Sequence, residues 1–172
     1  QTYVSDVNSD GRPDLLVQKD DTLHAFLQEE DMKYAARPEV IGLNAGLMSD
    51  EERALARRER QASGKTERVS VEFDKLLDLN NDGVMDVITK VAKRDGMTSS
   101  KSEYQVRYGQ LEGGWLAFNA VPSTSMKISG EGMIDFSDIN NDGRQDVFAM
   151  SVEMGVSGCG IIGLEEVCSA GL

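Results

Sequence analysis

Asp78-Leu79-Asn80-Asn81-Asp82-Gly83-Val84-Met85-Asp86 decides the reading of this chain, because the same sentence is written twice more. It recurs as Asp6-Val7-Asn8-Ser9-Asp10-Gly11-Arg12-Pro13-Asp14 and as Asp138-Ile139-Asn140-Asn141-Asp142-Gly143-Arg144-Gln145-Asp146. All three fit D-x-N-x-D-G-x-x-D. Oxygen ligands at the first, third, fifth and ninth positions, with a glycine at the sixth to permit a sharp turn, are the pattern that wraps a loop around a hard cation. The seventh position (Arg12, Val84, Arg144) contributes only its backbone carbonyl, so its side chain is free to vary. Asx-rich turns would account for Asp, Asn and Gly in general, but not for one spacing three times over. Three Ca²⁺ sites are therefore expected.

The residues after each loop separate this pattern from an EF-hand, which closes with a bidentate Glu at its twelfth position and continues as a helix. Here the twelfth positions are Val17, Thr89 and Ala149. Each ninth-position Asp leads into a short apolar run, Leu15-Leu16-Val17, Val87-Ile88-Thr89 and Val147-Phe148-Ala149, that reads as a buried strand. The loops thus join strand to strand. The apolar second positions, Val7, Leu79 and Ile139, are expected to tuck under their loops into the core.

Strand, D-x-N-x-D-G-x-x-D, strand resembles the FG-GAP or VCBS-type repeat, which builds blades of a β-propeller in integrin α-subunits and in many secreted bacterial proteins. The likeness covers the three loops with their flanking strands, about a third of the chain. The Phe-Gly and Gly-Ala-Pro signatures are absent, so it is to the looser bacterial variety. The resemblance implies calcium ligation by Asp6, Asn8, Asp10 and Asp14, by Asp78, Asn80, Asp82 and Asp86, and by Asp138, Asn140, Asp142 and Asp146. It also implies an extracellular, cell-surface or periplasmic setting.

Composition agrees with a globular, calcium-dependent chain. The 172 residues suffice for one domain with a sizeable core, and 40% hydrophobic with 28% charged is ordinary. Three bound Ca²⁺ would halve the formal net charge of −12. A basic stripe for nucleic acid is missing. No apolar run reaches the ~18 residues of a membrane-spanning helix. The chain starts at Gln1 without Met or an apolar leader, and is expected to be a mature product or a piece cut from a longer protein.

Spacing suggests the architecture: 72 residues separate Asp6 from Asp78 and 60 separate Asp78 from Asp138, long enough for four-stranded blades. The fold class expected is mainly β, an incomplete or fragmentary β-propeller of FG-GAP/VCBS-type blades with a helical insertion. One repeat domain spans 1–172, with units at about 1–30, 64–122 and 130–156, the insertion at 31–63 and a Cys-bearing segment at 157–172. The second unit reads as one complete blade: Val69 to Leu77, Asp86 to Ala92, an alternating strand over Tyr104 to Tyr108, and, after the Gly113-Gly114 turn, Trp115 to Phe118. The first offers Leu15 to Gln18 and Leu23 to Gln28, then leaves the pattern. Three units cannot close a ring of about four to eight blades. Raw edges are expected to be covered by the insertion helix, by the C-terminal segment or by self-association of open blade edges.

Inside the insertion, Ser49-Asp50-Glu51-Glu52 is a capping box opening a helix toward Gly64. Its first turn is acidic and Arg57, Arg58 and Arg60 lie toward its end, which suits the helix dipole. The apolar stripe of Met48, Leu55 and Ala62 is thin, so the helix is read as solvated and lying across a blade edge, with a partner-binding helix as the alternative. Cys159 and Cys168 are read as a disulfide-closed excursion, with two buried free thiols as the alternative.

Catalysis has little to stand on. The single histidine, His24, lies in the strand Leu23-His24-Ala25-Phe26-Leu27 on the face opposite Leu23 and Ala25. No G-x-S-x-G elbow, phosphate loop or H-E-x-x-H occurs. The expected function is a calcium-binding recognition or scaffolding module that binds protein or glycan. The alternative is the non-catalytic part of a propeller hydrolase or lyase, or of a toxin component, whose active site lies elsewhere.

Overall fold

The structure is a computed structural model and describes residues 1–95, 99–129, 131–155, 158–161 and 165–166. It is mainly β: four antiparallel sheets and one helix, and among the described residues the sheets do not close a ring. The first sheet is a meander of β1 (Thr2–Ser5), β2 (Asp14–Lys19), β3 (Thr22–Phe26) and β4 (Glu39–Gly42). Helix α1 (Asp50–Ser63) follows. The second sheet contains β5 (Arg68–Leu77), β6 (Asp86–Asp95), β7 (Ser99–Arg107) and β10 (Thr124–Ser129), in the order β10-β7-β6-β5. Between β7 and β10 the chain makes a separate hairpin, β8 (Gly109–Glu112) with β9 (Trp115–Phe118). The third sheet pairs β11 (Glu131–Ser137) with β12 (Asp146–Gly155), whose other edge takes β13 (Gly158–Ile161) and β14 (Glu165–Glu166).

Two expectations are corrected. The strands of the first unit do not end at Gln28: Glu39–Gly42, placed in the insertion by sequence, pairs with β3 through Leu23 opposite Ile41 and completes a four-stranded sheet. Only one of its four residues, Ile41, is buried, so alternation over so short a strand gave little signal. Trp115–Phe118 is not the fourth strand of the second sheet; that place belongs to Thr124–Ser129, registered as Met126 opposite Tyr104. The turn at Gly113-Gly114 is real, with φ of 60° and 87°, but it closes the two-stranded hairpin.

Packing follows from the pleat. Successive strand residues face opposite sides of a sheet, and Val87 and Ile88, adjacent in β6, are both completely buried. Val87 belongs to a core with Val7, Leu16, Leu23, Leu43, Leu76 and Phe118, which joins the first sheet and the hairpin to the second. Ile88 belongs to a core with Tyr104, Val106 and Ile134, which joins the second sheet to the third. The second sheet is thus covered on both faces, and the apolar run after its loop exists for that reason. Across the second interface Lys75 pairs with Asp135 at 2.7 Å and lies 5.1 Å from the centre of the Phe136 ring.

Helix α1 carries its capping box: the Glu52 N–H donates to Ser49 Oγ, and Glu52 Oε2 accepts from the Ser49 N–H at 2.8 Å. Gly64 ends it in the left-handed region, φ 65°. No helix residue is buried, as its thin stripe foretold, and Leu55 is 57% exposed. The helix stands beside β5, the edge strand of the second sheet, with a cleft between them. His24 is half-buried on the face of β3 opposite buried Leu23 and Ala25. Cys168 lies outside the described residues, and so therefore does the expected disulfide.

Candidate metal loops

The three loops fold alike. Each bridges two antiparallel strands at their close: β1 to β2, β5 to β6, β11 to β12. The fourth residue takes positive φ each time, Ser9 59°, Asn81 60° and Asn141 60°, and the sixth-position glycines follow at 81°, 86° and 87°. Two left-handed residues separated only by the fifth residue turn the backbone amides inward, and the glycine carries the larger φ because a Cβ would be strained there.

The first-position Asp collects those amides. Asp6 Oδ1 accepts from the Asp10 N–H at 3.2 Å and Oδ2 from Gly11 at 2.8 Å. Asp78 does the same with Asp82 and Gly83 at 3.1 and 2.8 Å, and Asp138 with Asp142 and Gly143 at 3.0 and 2.8 Å. Asn8, Asn80 and Asn140 each accept through Oδ1 from the fifth-position N–H, at 3.2, 3.2 and 2.9 Å. Asp10, Asp82 and Asp142 accept from the seventh-position N–H of Arg12, Val84 and Arg144 at 2.9, 2.8 and 2.9 Å. Their other oxygens accept from the Asn amide nitrogen of the same loop. Only in the first loop does a cationic side chain enter, where the Arg12 guanidinium stands 2.7 Å from Asp10 Oδ2. The Arg12 N–H first, with the guanidinium and the Asn8 amide behind it, holds the Asp10 carboxyl below the usual range.

The ninth-position Asp accepts from the second residue of its own loop and, in the first two loops, also from backbone beyond it. Asp14 is fully buried, with Oδ2 accepting from the Val7 N–H at 3.1 Å and Oδ1 from the Gln28 N–H, beyond β3, at 2.8 Å. Asp86, also fully buried, accepts from Leu79 and from Gly109 of the hairpin, both at 2.9 Å. Asp146 accepts from Ile139 at 3.0 Å. Burial pushes the Asp86 carboxyl up to about 6, and the two amide bonds only partly oppose it. Each loop therefore presents the same oxygen-bearing side chains at its first, third and fifth positions, while the ninth carboxylate is committed to backbone N–H groups. Among the described residues no group of three or more His, Cys, Asp or Glu side chains converges in metal-holding geometry. The donors fit a hard cation by chemistry, all of them oxygen, while the carboxylates are engaged by N–H groups.

The second positions divide. Val7 is buried and Leu79 packs against the second core, whereas Ile139 is 58% exposed, against the expectation from sequence. The third loop lies at the outer end of the row, with no further sheet behind it among the described residues to cover Ile139.

What sequence reasoning missed is that the loops are tied together. The hairpin sits between the first two: Leu116 N–H donates to the Val7 carbonyl at 2.8 Å, Ser9 Oγ to the Gly114 carbonyl at 3.1 Å, and Gly109 N–H to Asp86. The Gln145 N–H reaches the Leu79 carbonyl at 3.3 Å, linking the third loop to the second. Gly109 has to be glycine, because a Cβ there would overlap the Met85 carbonyl and the Val84 side chain. Arg107 is another surprise: it is 4% exposed, reaches Thr89 Oγ1 and the Ala120 carbonyl at 3.4 Å, and leaves its Nε without a partner. Tyr104-Gln105-Val106-Arg107 reads as alternating apolar and polar, so nothing in the sequence marks Arg107 as buried.

No family model, curated protein or solved structure matches the chain.

Proposed function

We propose that this chain is a calcium-binding recognition or scaffolding module of a secreted or surface protein, made of FG-GAP/VCBS-like blades of an incomplete β-propeller. In this reading Ca²⁺ rigidifies the strand-connecting loops and the exposed sheet surfaces bind protein or glycan. The observation that carries it is the threefold recurrence of one loop conformation, donor for donor, at three separate strand connections. Packing of successive four-stranded sheets face to face through two cores supports the blade reading.

In each loop the first, third, fifth and ninth side chains and the seventh carbonyl would hold the ion, which supplies positive charge and fixed oxygen contacts. The chain's own residues set the order of loading. Arg12 has to release Asp10 before the first loop can accept a cation, whereas Val84 offers no such competition in the second. In the third, Arg144 makes no ion pair with Asp142 among the described residues. The ninth carboxylates must share oxygens already bonded to backbone, and each carboxylate oxygen has a second lone pair for that purpose.

Equilibrium dialysis and calorimetry test the reading. Three Ca²⁺ per chain are expected, in the range of about 10⁻⁴ to 10⁻³ M usual for extracellular modules, with Mg²⁺ a poor competitor. The first loop should be weakest and should tighten in Arg12→Ala. No uptake at millimolar calcium would sink the proposal.

A further inference from the structure

We infer that the two outer faces of the sheet row bind a second copy of this chain, the first sheet of each copy docking on the third sheet of the other to close a ring of six. This pairing rests on the blade reading above and not on the metal sites.

The two joints inside the chain follow one rule. The first residue after each loop faces back along the row, and the second faces forward. Leu16, second after the first loop, shares a core with Val87, first after the second loop. Ile88, second after the second loop, shares the next core with Val147, first after the third. The apolar second position within each loop keeps the same order, Val7 lying in the first of these cores and Leu79 against the other. The rule leaves both ends of the row unfilled. Phe148, second after the third loop, and Ile139 within it are exposed where a following sheet would cover them. Leu15, first after the first loop, faces away from Leu16 and joins neither core among the described residues.

Both end faces are apolar across several strands. On the third sheet, register sets Met133 opposite Met150, and alternation puts Phe148 on the same side. All three are exposed. On the first sheet, Val4, Leu15 and Phe26 form one cross-strand row, and Val17, His24 and Val40 the next. Val4 and Val40 are exposed. Contiguous apolar side chains left open in this way mark an interaction surface.

Self-complementarity selects the occupant. The third sheet lacks a partner with the back face of a blade, the first sheet lacks one with a forward face, and this chain carries both. A second copy covers the two ends at once, because a two-fold axis that brings one residue to another also brings the second to the first. Counting fixes the number of copies. Two supply six sheets, within the four to eight blades that close a ring, whereas three would supply nine. Each copy carries a net charge of −12, so salt should strengthen the association by screening their repulsion.

Sedimentation of the 172-residue chain in millimolar calcium, over a range of salt and protein concentration, tests the ring. A monomer–dimer equilibrium of 18.8 kDa chains is expected, with nothing larger than the dimer. Met150→Lys on one face and Val40→Glu on the other should each weaken dimerisation about a hundredfold or more, since each puts a charge into both joints. Mixing the two variants should restore it in large part: the mixed pair keeps one joint of unaltered faces and gives the other opposite charges. Both side chains are exposed in the single chain, so the variants should fold, and circular dichroism verifies it. Met133→Lys and Val4→Glu replace either one that does not. A chain monomeric at about 0.1 mM, growth beyond the dimer, sensitivity to one face alone, or no restoration on mixing would each overturn the ring. Calcium uptake by the same samples keeps the two readings apart. Three ions bound by a chain that stays monomeric would leave the proposed function standing and remove only the ring.

Discussion

Asp14→Asn should destabilise the chain even when no metal is present, and by an amount the hydrogen bonds set. In the parent the carboxylate is fully buried and satisfies two backbone donors, Val7 N–H at 3.1 Å and Gln28 N–H at 2.8 Å. An amide has one acceptor oxygen. Whichever way it turns, one of those N–H groups faces an NH₂ and is left without a partner. Hydrogen bonds to a charged acceptor contribute about 1.5–3 kcal/mol, and a buried orphan donor costs about 1–3 kcal/mol. A net loss of about 2 kcal/mol in a chain of this length lowers the melting temperature by about 4–8 °C. The companion is Asp10→Asn, which changes an exposed carboxylate at the fifth position of the same loop. Thermal unfolding followed by circular dichroism should show Asp14→Asn melting early in chelator and Asp10→Asn melting with the parent. In millimolar calcium the parent should rise and Asp10→Asn should rise less. Amide exchange at Val7 or Gln28 should quicken in Asp14→Asn alone. If Asp14→Asn melts with the parent in chelator, the ninth carboxylate is not what fastens the loop to the first sheet.

Three further outcomes are expected. Without metal, the folded-state value of about 6 for Asp86 lies above that of an unfolded Asp. The neutral form is thus favoured by folding, and the stability it contributes is present below about pH 4 and lost as pH rises through 6. The melting-temperature advantage of the parent over Asp86→Asn in chelator should shrink across that window and level off above it, and a gap independent of pH would contradict the buried charge. Gly109→Ala places a methyl against the Met85 carbonyl, so the hairpin must lift from Asp86; a loss of about 1–3 kcal/mol with faster amide exchange at residue 109 is expected in urea unfolding. Ser49→Ala removes the cap of a helix that buries nothing, so helical ellipticity should fall, consistent with about 1 kcal/mol of local stability, while the core melts where it did.

The sequence by itself determined the three loops, the strands on either side of them, the helix with its cap, and the buried run after Asp86. These are local matters: D-x-N-x-D-G fixes which carboxylate meets which amide within nine residues, and S-D-E-E fixes a capping box within four. Alternation placed His24 correctly for the same reason. The tertiary structure alone decided which strand closes each sheet. Glu39–Gly42 buries one side chain and Thr124–Ser129 carries two alternating apolar residues, Met126 and Ile128, too weak a pattern to outrank Trp115–Phe118, which is more apolar but pairs with β8. Choosing between them depends on which edge is open and which face is covered, and neither is written in a window of ten residues. The same holds for the ninth-position carboxylates. In sequence they read as metal ligands like the others, but folding delivers Gln28 and Gly109 to Asp14 and Asp86 from 14 and 23 residues away, and a buried carboxylate bonds to the donors that arrive.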